Sequence, residues 1–275
     1  MIPIQYALRR RMMMAALGSG IDVAALSITY TGAHTDYGMV TMSDGARYRL
    51  LAFTGSGTLS IEQPVNCEVC VVGGGANGSS TDGYGSHGGV GGAGAYLKNQ
   101  SVSAYNGGRV IIGAYKSGSS IAGVSVRGVG GKNGGTGGGG TTAGTGDGIS
   151  KYPFEDTGYS LWAGKPHCAG GGQGSYEHKI NQNDIRGISG GDGGTNGGNG
   201  YRAGGWVPHA SGGVGGSYGG GQGGTRSKGG NATYYGSGAG GGSYYEDASG
   251  NVTYYDGGDG YQGIVYMRIP EEQAA

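Results

Sequence analysis

The sequence predicts an all-β fold with a polyglycine II helix bundle. An antiparallel β frame clamps glycine-rich left-handed helices, and a short N-terminal α-helix precedes the frame. Glycine accounts for 72 of 275 residues, and 60 of them lie between Gly73 and Gly242. Short runs rich in β-branched and aromatic residues bracket that region on both sides. The chain has 21 tyrosines and zero formal net charge, whereas disordered chains have few aromatic residues and high net charge.

The N-terminal segment over residues 4–17 consists of good helix formers. Ile4, Leu8 and Met12 share one face at helical spacing, and Gly18 is a suitable stop. Such a narrow apolar stripe needs a partner. The helix therefore either attaches the protein to another protein or to further copies of itself, or it docks on its own domain. Under the first interpretation we expect a homo-oligomer, for which a trimer is one arrangement.

The β frame is predicted from short runs separated by turn signals such as Ser43-Asp44-Gly45. The first four runs predict an antiparallel meander at 27–32, 38–42, 46–55 and 57–62. Further strands are predicted at 66–72, 109–114 and 263–269. Neither the first strands nor the last strand could form a complete β structure alone. We therefore expect them to pair with one another, with glycine-rich excursions between them.

The glycine-rich region needs a way to recover the free energy lost in ordering it, roughly 1–2 kcal/mol per residue. Collagen requires a strict repeat with much proline, which an irregular pattern with six prolines excludes. Extended left-handed helices of three residues per turn remain. The GG-x pattern leaves two of their three faces free of side chains. Neighbouring helices can then exchange backbone hydrogen bonds, each contributing about 0.5–1.5 kcal/mol.

These predictions divide the chain into four regions. Residues 1–26 hold the attachment or oligomerisation helix, and residues 27–72 form the β meander. Residues 73–242 form the bundle with its variable loops, in one domain with 27–72 and 243–270. The closing loop and strand occupy 243–275.

No catalytic or cofactor site is predicted. The G-x-S-x-G patterns at 187–191 and 215–219 do not follow a hydrophobic strand, as a nucleophile elbow must. The five histidines have no metal-ligand spacing. On a strand Cys67 and Cys70 would point to opposite faces, which favours small packed side chains over a disulfide. We therefore expect no enzyme activity, no cofactor and no metal.

Aromatic and polar segments interrupt the glycine runs. Loops on a rigid scaffold are where recognition usually occurs, and aromatic rings give contact area at low entropic cost. About half of the tyrosines are expected to cap the ends of the glycine helices instead. The candidate receptor-binding residues are Tyr84, His87, Tyr152, Phe154, Tyr159, Trp162, Tyr176, Tyr201, Trp206, His209, Tyr234 and Tyr235.

Three motifs resemble a glycine-rich domain of phage and prophage tail proteins: FTGSGTLSI at 53–61, CEVCVVGGG at 67–75 and GYQGIVYMRI at 260–269. The central runs are also similar to the distal adhesins of T-even-type phage long tail fibres. There a sandwich of polyglycine II helices displays variable loops that bind bacterial surface receptors. The resemblance implies a tail-fibre or tail-tip protein that binds a bacterial surface glycan or protein, alongside other virion tail proteins. The β meander and the N-terminal helix depart from those adhesins.

Two other functions are compatible with the sequence. One is a structural self-assembling fibre, sheath or virion decoration protein, whose glycine faces pack between subunits. The other is ice binding, against which the bulky tyrosine and tryptophan loops argue. The zero net charge argues against a nucleic-acid partner. No apolar run is long enough for a transmembrane helix, and Met12–Leu17 is short for a signal peptide. We expect a protein made in the host cytoplasm without a signal peptide and located in the virion tail.

Overall fold

A computed structural model describes residues 21–80, 91–92, 94–128, 130, 152–181, 184–188, 207–208, 210–215 and 218–272. The predicted helix at residues 4–17 lies outside these ranges. Within them the fold is β-strands with a single 3₁₀ turn at Pro153–Glu155 and no α-helix, which confirms the all-β prediction. The strands, in chain order, are β1 Ile28–Tyr30, β2 His34–Thr41, β3 Arg47–Phe53, β4 Gly57–Val72, β5 Leu97–Ile111, β6 Ser120–Ile121, β7 Tyr176–Asn181, β8 Asp184–Ile188, β9 Val207–Pro208, β10 Tyr244–Glu246, β11 Val252–Tyr254 and β12 Ile264–Pro270.

The main sheet has the order β2-β3-β12-β4-β5-β6, with β1 paired to β4. The last strand, β12, lies between β3 and β4 and is antiparallel to both, so Val265 faces Phe53 on one side and Val71 on the other. The predicted pairing of the first strands with the last one is therefore present. The meander prediction needs correction, because β3 and β4 are not neighbours. β12 is buried along almost its whole length, and a strand apolar on both faces takes a central position.

Strand β4 is longer than predicted. The runs expected at 57–62 and 66–72 are parts of one 16-residue strand. Its pairing with β5 shifts between Ser60 and Val65 and again between Val65 and Cys67. Pro64 lies in the first of these irregular stretches, where a residue without an N–H is tolerated. The interruption that separated the two predicted strands in the sequence is thus a bulge and not a turn.

Both faces of the main sheet are covered by apolar side chains. Phe53, Val69 and Met267 belong to one core cluster, whereas Leu50, Cys70 and Tyr266 belong to a second one. Cys67 lies in the first cluster and Cys70 in the second, so the two thiols occupy opposite faces as predicted. Both are free and buried, as is Cys168. Burial, with a smaller effect of the neighbouring Glu68, raises the pKa of Cys67 to about 12.

Among the described residues, eight glycine-rich segments that are neither helical nor part of a sheet leave and return to this frame, and we call them together the bundle. We number them s1 to s8: 73–80 (s1), 91–92 with 94–95 (s2), 169–175 (s3), 210–215 (s4), 220–224 (s5), 228–233 (s6), 237–243 (s7) and 255–263 (s8). Segments s3 and s7 are buried throughout. Their packing leaves no room for side chains at many positions. A Cβ added to Gly240, for example, would overlap the carbonyl oxygen of Gln222.

Segment s7 is the centre of the bundle and hydrogen-bonds to six others. Successive N–H groups of s7 donate hydrogen bonds to s3, s1 and s6, and the same order of partners then repeats. Successive carbonyls of s7 accept hydrogen bonds from s8, s5 and s2, again in a repeating order. The donor bonds are Gly238 to Ala169, Ala239 to Ala76, Gly240 to Gly230, Gly241 to Gly172 and Gly242 to Ser79. The accepted bonds are from Tyr261 to Ser237, Gly221 to Gly238, Gly92 to Ala239, Gly258 to Gly240 and Gly224 to Gly241. Partners therefore recur every third residue, whereas the two faces of a β-strand alternate every second residue.

A second sheet of five strands, ordered β11-β10-β7-β8-β9, lies where s3 and s7 end. β7 follows s3 directly and β10 follows s7 directly, so the two strands leave the bundle side by side and pair in parallel. The Tyr244 N–H donates to the Ser175 carbonyl at 2.9 Å, which continues the register of the two segments into the sheet. We call this sheet, formed by strands β7 to β11, the tip.

Candidate functional site

Three groups of described aromatic residues bear on the predicted receptor site. One is buried between the main sheet and residues 152–168. One lies in the tip, and one lies where the bundle meets the main sheet. Of the residues predicted to bind a receptor, Tyr152, Phe154, Tyr159 and Trp162 fall in the first group, Tyr176 in the second and Tyr234 and Tyr235 in the third. Tyr84, His87, Tyr201, Trp206 and His209 lie outside the described residues.

The first group is a core. Trp162 is fully buried, and its ring packs edge-on against Tyr159 at 4.8 Å and Tyr266 at 5.4 Å between centroids. Its indole N–H donates to the backbone carbonyl of Asp156. Phe154 is also buried and covers the Arg268 guanidinium, 4.6 Å from its ring centroid. Trp162 and Phe154 thus stabilise the fold and present no ring to a receptor.

Asp156 holds this loop against the turn between β2 and β3. Its carboxylate accepts hydrogen bonds from the backbone N–H groups of Ser43, Gly158 and Tyr159 and from the Ser43 hydroxyl. Burial alone would raise the pKa of Asp156, but these hydrogen bonds outweigh burial and hold the pKa below its ordinary value. The segment 152–168 was expected to be a displayed loop; it packs instead on the frame.

The tip carries three tyrosines in contact. Tyr176 and Tyr244 stack at 4.6 Å between ring centroids, and Tyr254 meets Tyr244 edge-on at 5.5 Å. Tyr254 is 51 % exposed, and Val252 on the same strand is 38 % exposed. Burial and the hydrogen-bonded Glu246 carboxylate raise the pKa of Tyr244 to about 12. The tip therefore combines a fixed aromatic base with exposed side chains on β11.

Charged groups surround these rings. Arg226 pairs with the buried carboxylate of Glu177, and its guanidinium lies 4.6 Å from the Tyr245 ring centroid. His178 Nδ1 lies 2.8 Å from an oxygen of Glu246. A planar guanidinium stacked on an aromatic ring and paired with a carboxylate keeps one orientation. The polar groups of the tip are thus positioned as firmly as its rings.

The third group forms a continuous row of four tyrosines, which we call the tyrosine row: Tyr218, Tyr234, Tyr235 and Tyr261. Adjacent ring centroids are 5.1, 5.4 and 5.5 Å apart along the row. Tyr218 is 46 % exposed and Tyr261 is 37 % exposed. Behind the row, His167 is fully buried and lies 4.8 Å from Tyr234 between ring centroids, with its Nε2 3.1 Å from the Tyr266 hydroxyl.

Backbone hydrogen bonds hold the tyrosine row in place. The Thr233 N–H donates to the Gly219 carbonyl, which ties the turn carrying Tyr218 to Tyr234. The Gly236 N–H donates to the Gln262 carbonyl, which ties Tyr235 to Tyr261. Tyr218 has a φ of 60°, a left-handed conformation uncommon for a residue with a side chain. The row is thus organised by the bundle before any partner arrives.

The sequence interpretation missed Tyr218, Tyr254 and Tyr261. Tyr218 stands inside a glycine run and not in one of the longer interruptions, and Tyr261 stands in the closing motif. Tyr254 belongs to an interruption, but a pair of adjacent tyrosines does not show which ring faces outward. A search for every tyrosine next to a glycine would have found Tyr218, which precedes Gly219, and Tyr261, which follows Gly260.

Comparisons with models of known families, with curated proteins and with solved structures found no match for this chain. Within the described ranges, no helix is long and apolar enough to cross a membrane. In the same residues, no three His, Cys, Asp or Glu side chains are grouped to hold a metal ion.

Proposed function

We propose that this protein is a phage tail-fibre or tail-tip adhesin, which binds a bacterial surface glycan or protein through side chains displayed on a polyglycine II scaffold. The observation that carries the proposal is the bundle centred on s7. Six segments surround s7, and its hydrogen-bond partners recur every third residue. Helices of three residues per turn in hexagonal packing have this arrangement.

Such a scaffold suits display. The segments hold one another by backbone hydrogen bonds, and their close packing involves few side chains. Segments s3 and s7 run in parallel and release their chains at the same end, where β7 and β10 pair. Exposed Tyr254 and Val252 stand on the neighbouring strand of that sheet. Rigid aromatic groups on a fixed base lose little conformational entropy on binding.

The motifs at 53–61, 67–75 and 260–269 support the same function by resemblance. They correspond to the β3–β4 turn, the junction of β4 with s1, and the junction of s8 with β12. All three motifs therefore lie where the frame and the bundle join. Their position accounts for a sequence pattern that this chain shares with the resembling proteins at the three motifs, whereas the residues between the motifs vary.

The test is binding of the purified chain to envelopes from a panel of bacterial strains. A tip variant, Val252→Ser with Tyr254→Ser, should weaken binding to the recognised strain at least tenfold. The matched control, Val214→Ser with Tyr115→Ser, removes an exposed valine and an exposed tyrosine elsewhere and should leave binding unchanged. Unfolding curves of both variants check that each is folded.

Two results would overturn the proposal. One is equal loss of binding in the tip variant and its control. The other is a wild-type chain that binds no envelope and assembles into filaments or lattices in negative-stain micrographs, which would favour a structural role.

A further inference from the structure

We infer that the tyrosine row is a second binding site, separate from the tip, and that it takes a neutral glycan. Tyr235 precedes the glycine segment s7 and Tyr244 follows it. At about 3.1 Å per residue, the eight intervening residues separate the row from the tip by roughly 25 Å. A ligand on the row would therefore not reach the tyrosines of the tip.

The row is uncharged, and this determines the class of ligand. Burial raises the pKa of Tyr234 and Tyr235, and the neighbouring groups that raise it further are all tyrosines. One of them is Tyr37 of β2, which is 41 % exposed. Among the residues that the structure describes, Lys165 is the one cation placed over a ring of the row, 6.0 Å from the Tyr218 ring centroid at one end. A site for an acidic polysaccharide would be expected to carry more cationic side chains than this one lysine.

The row also offers unused hydrogen-bonding groups. Within the described part of the chain, Tyr266 shares a hydrogen bond with His167, and no bond to a protein atom is found for the hydroxyls of Tyr218, Tyr234, Tyr235 and Tyr261. Each phenol is both a donor and an acceptor. Burial raises the pKa of Tyr234 and of Tyr235 above that of an ordinary phenol, so both hydroxyls remain protonated at neutral pH.

Rings and hydroxyls in this combination match a pyranose. One face of a pyranose ring carries C–H groups that pack on aromatic rings, and its rim carries hydroxyls that exchange hydrogen bonds with phenols. Neither partner is charged. The core of a protein interface is enriched in methionine and arginine as well as in aromatic residues. The residues next to the four rings in the sequence are instead glycine, serine, threonine, glutamine and the other tyrosines of the row.

The experiment is affinity electrophoresis of the full chain in gels that contain amylose, dextran, mannan, galactan or, as an acidic comparison, polygalacturonate. We expect retardation by at least one neutral polysaccharide. Tyr261→Ala should weaken that retardation about tenfold, because it removes one of the two most exposed rings of the row. Tyr261→Phe, which keeps the ring and loses the hydroxyl, should lie between.

The matched control is Tyr115→Ala, because Tyr115 is 38 % exposed and Tyr261 is 37 % exposed. Retardation by none of the neutral gels, or equal weakening by Tyr261→Ala and Tyr115→Ala, would overturn the inference. Retardation only by polygalacturonate would also overturn it. The tip variant Val252→Ser with Tyr254→Ser separates the two proposals. If it abolishes envelope binding and keeps glycan retardation, both sites stand. If no neutral polysaccharide retards the chain while the tip variant still loses envelope binding, only the proposed glycan site at the tyrosine row is refuted.

Discussion

Replacing Gly240 with alanine tests whether the glycine bundle stabilises the protein. Gly240 lies in s7, where its N–H donates to the Gly230 carbonyl and its carbonyl accepts from the Gly258 N–H, both at 2.8 Å. An added Cβ would overlap the Gln222 carbonyl oxygen, which itself accepts from the Gly230 N–H at 2.7 Å. The substitution therefore disturbs three backbone hydrogen bonds.

The expected loss follows from those bonds. Each backbone hydrogen bond contributes about 1 kcal/mol net, and each buried group left unpaired costs about 1–3 kcal/mol. Alanine also reduces the entropy of the unfolded chain, which offsets the loss by about 0.4–1 kcal/mol. The free energy of unfolding should fall by about 3–5 kcal/mol, a large part of the 5–15 kcal/mol typical of a domain.

The measurement is equilibrium unfolding in guanidinium chloride, followed by the fluorescence of buried Trp162 in a Trp206→Phe background. Gly45→Ala is the control. Gly45 lies in the β2–β3 turn at a φ of 83° with no atom within 4 Å of an added Cβ, so only backbone strain of about 1–2 kcal/mol is expected. A loss for Gly240→Ala no larger than that for Gly45→Ala would refute the view that close backbone packing holds the bundle.

Three further outcomes follow from the frame. Trp162→Ala should lower the free energy of unfolding by about 3–5 kcal/mol, as for other buried aromatic residues, and a loss below about 1 kcal/mol in denaturant would contradict the buried position. Folding lowers the pKa of Asp156, so its contribution to the free energy of unfolding is present above its unfolded pKa of about 3.9 and is lost as the pH falls through the folded value. The Asp156→Asn variant should therefore be less stable than the wild type at pH 7, and its stability should depend less on acid. Unfolding curves at several pH values measure both effects. Burial raises the pKa of Cys67 and of Cys70, so the native thiols should react with a disulfide reagent only as fast as the protein unfolds locally or globally. Fast labelling in the absence of denaturant would contradict this expectation.

The frame was predictable where its strands follow a simple pattern. β3, β4 and β12 combine β-branched and aromatic residues with clear turn signals. β3 and β12 form within a residue or two of the predicted bounds, whereas β4 joins two predicted strands. The first half of β5, from Leu97 to Tyr105, was missed because its side chains are mostly polar and only partly buried. There the pairing with β4 determines the structure, and strand propensity does not.

The candidate site was harder to predict, because exposure depends on partners distant in the chain. Trp162 stands in a polar, turn-rich stretch that reads as a loop, yet Tyr266 and the main sheet bury it. Tyr234 and Tyr235 are adjacent in sequence, and their ring centroids lie 5.4 Å apart at a turn in which the Ser237 N–H donates to the Tyr234 carbonyl and Gly236 has a φ of 71°. Their contact with Tyr218 and Tyr261 depends on the stacking of s5, s6 and s8, which glycine content alone does not specify.

The place of s7 in the chain sets the order in which this protein assembles. The segment that six others need as a partner spans 237–243, and the strand that joins β3 to β4 begins at Ile264. While the chain is being synthesised, the earlier glycine segments have no centre to pack on and the main sheet lacks a middle strand. Folding must wait until nearly all of the described chain has left the ribosome, and sheet and bundle then close together in one cooperative, non-local step.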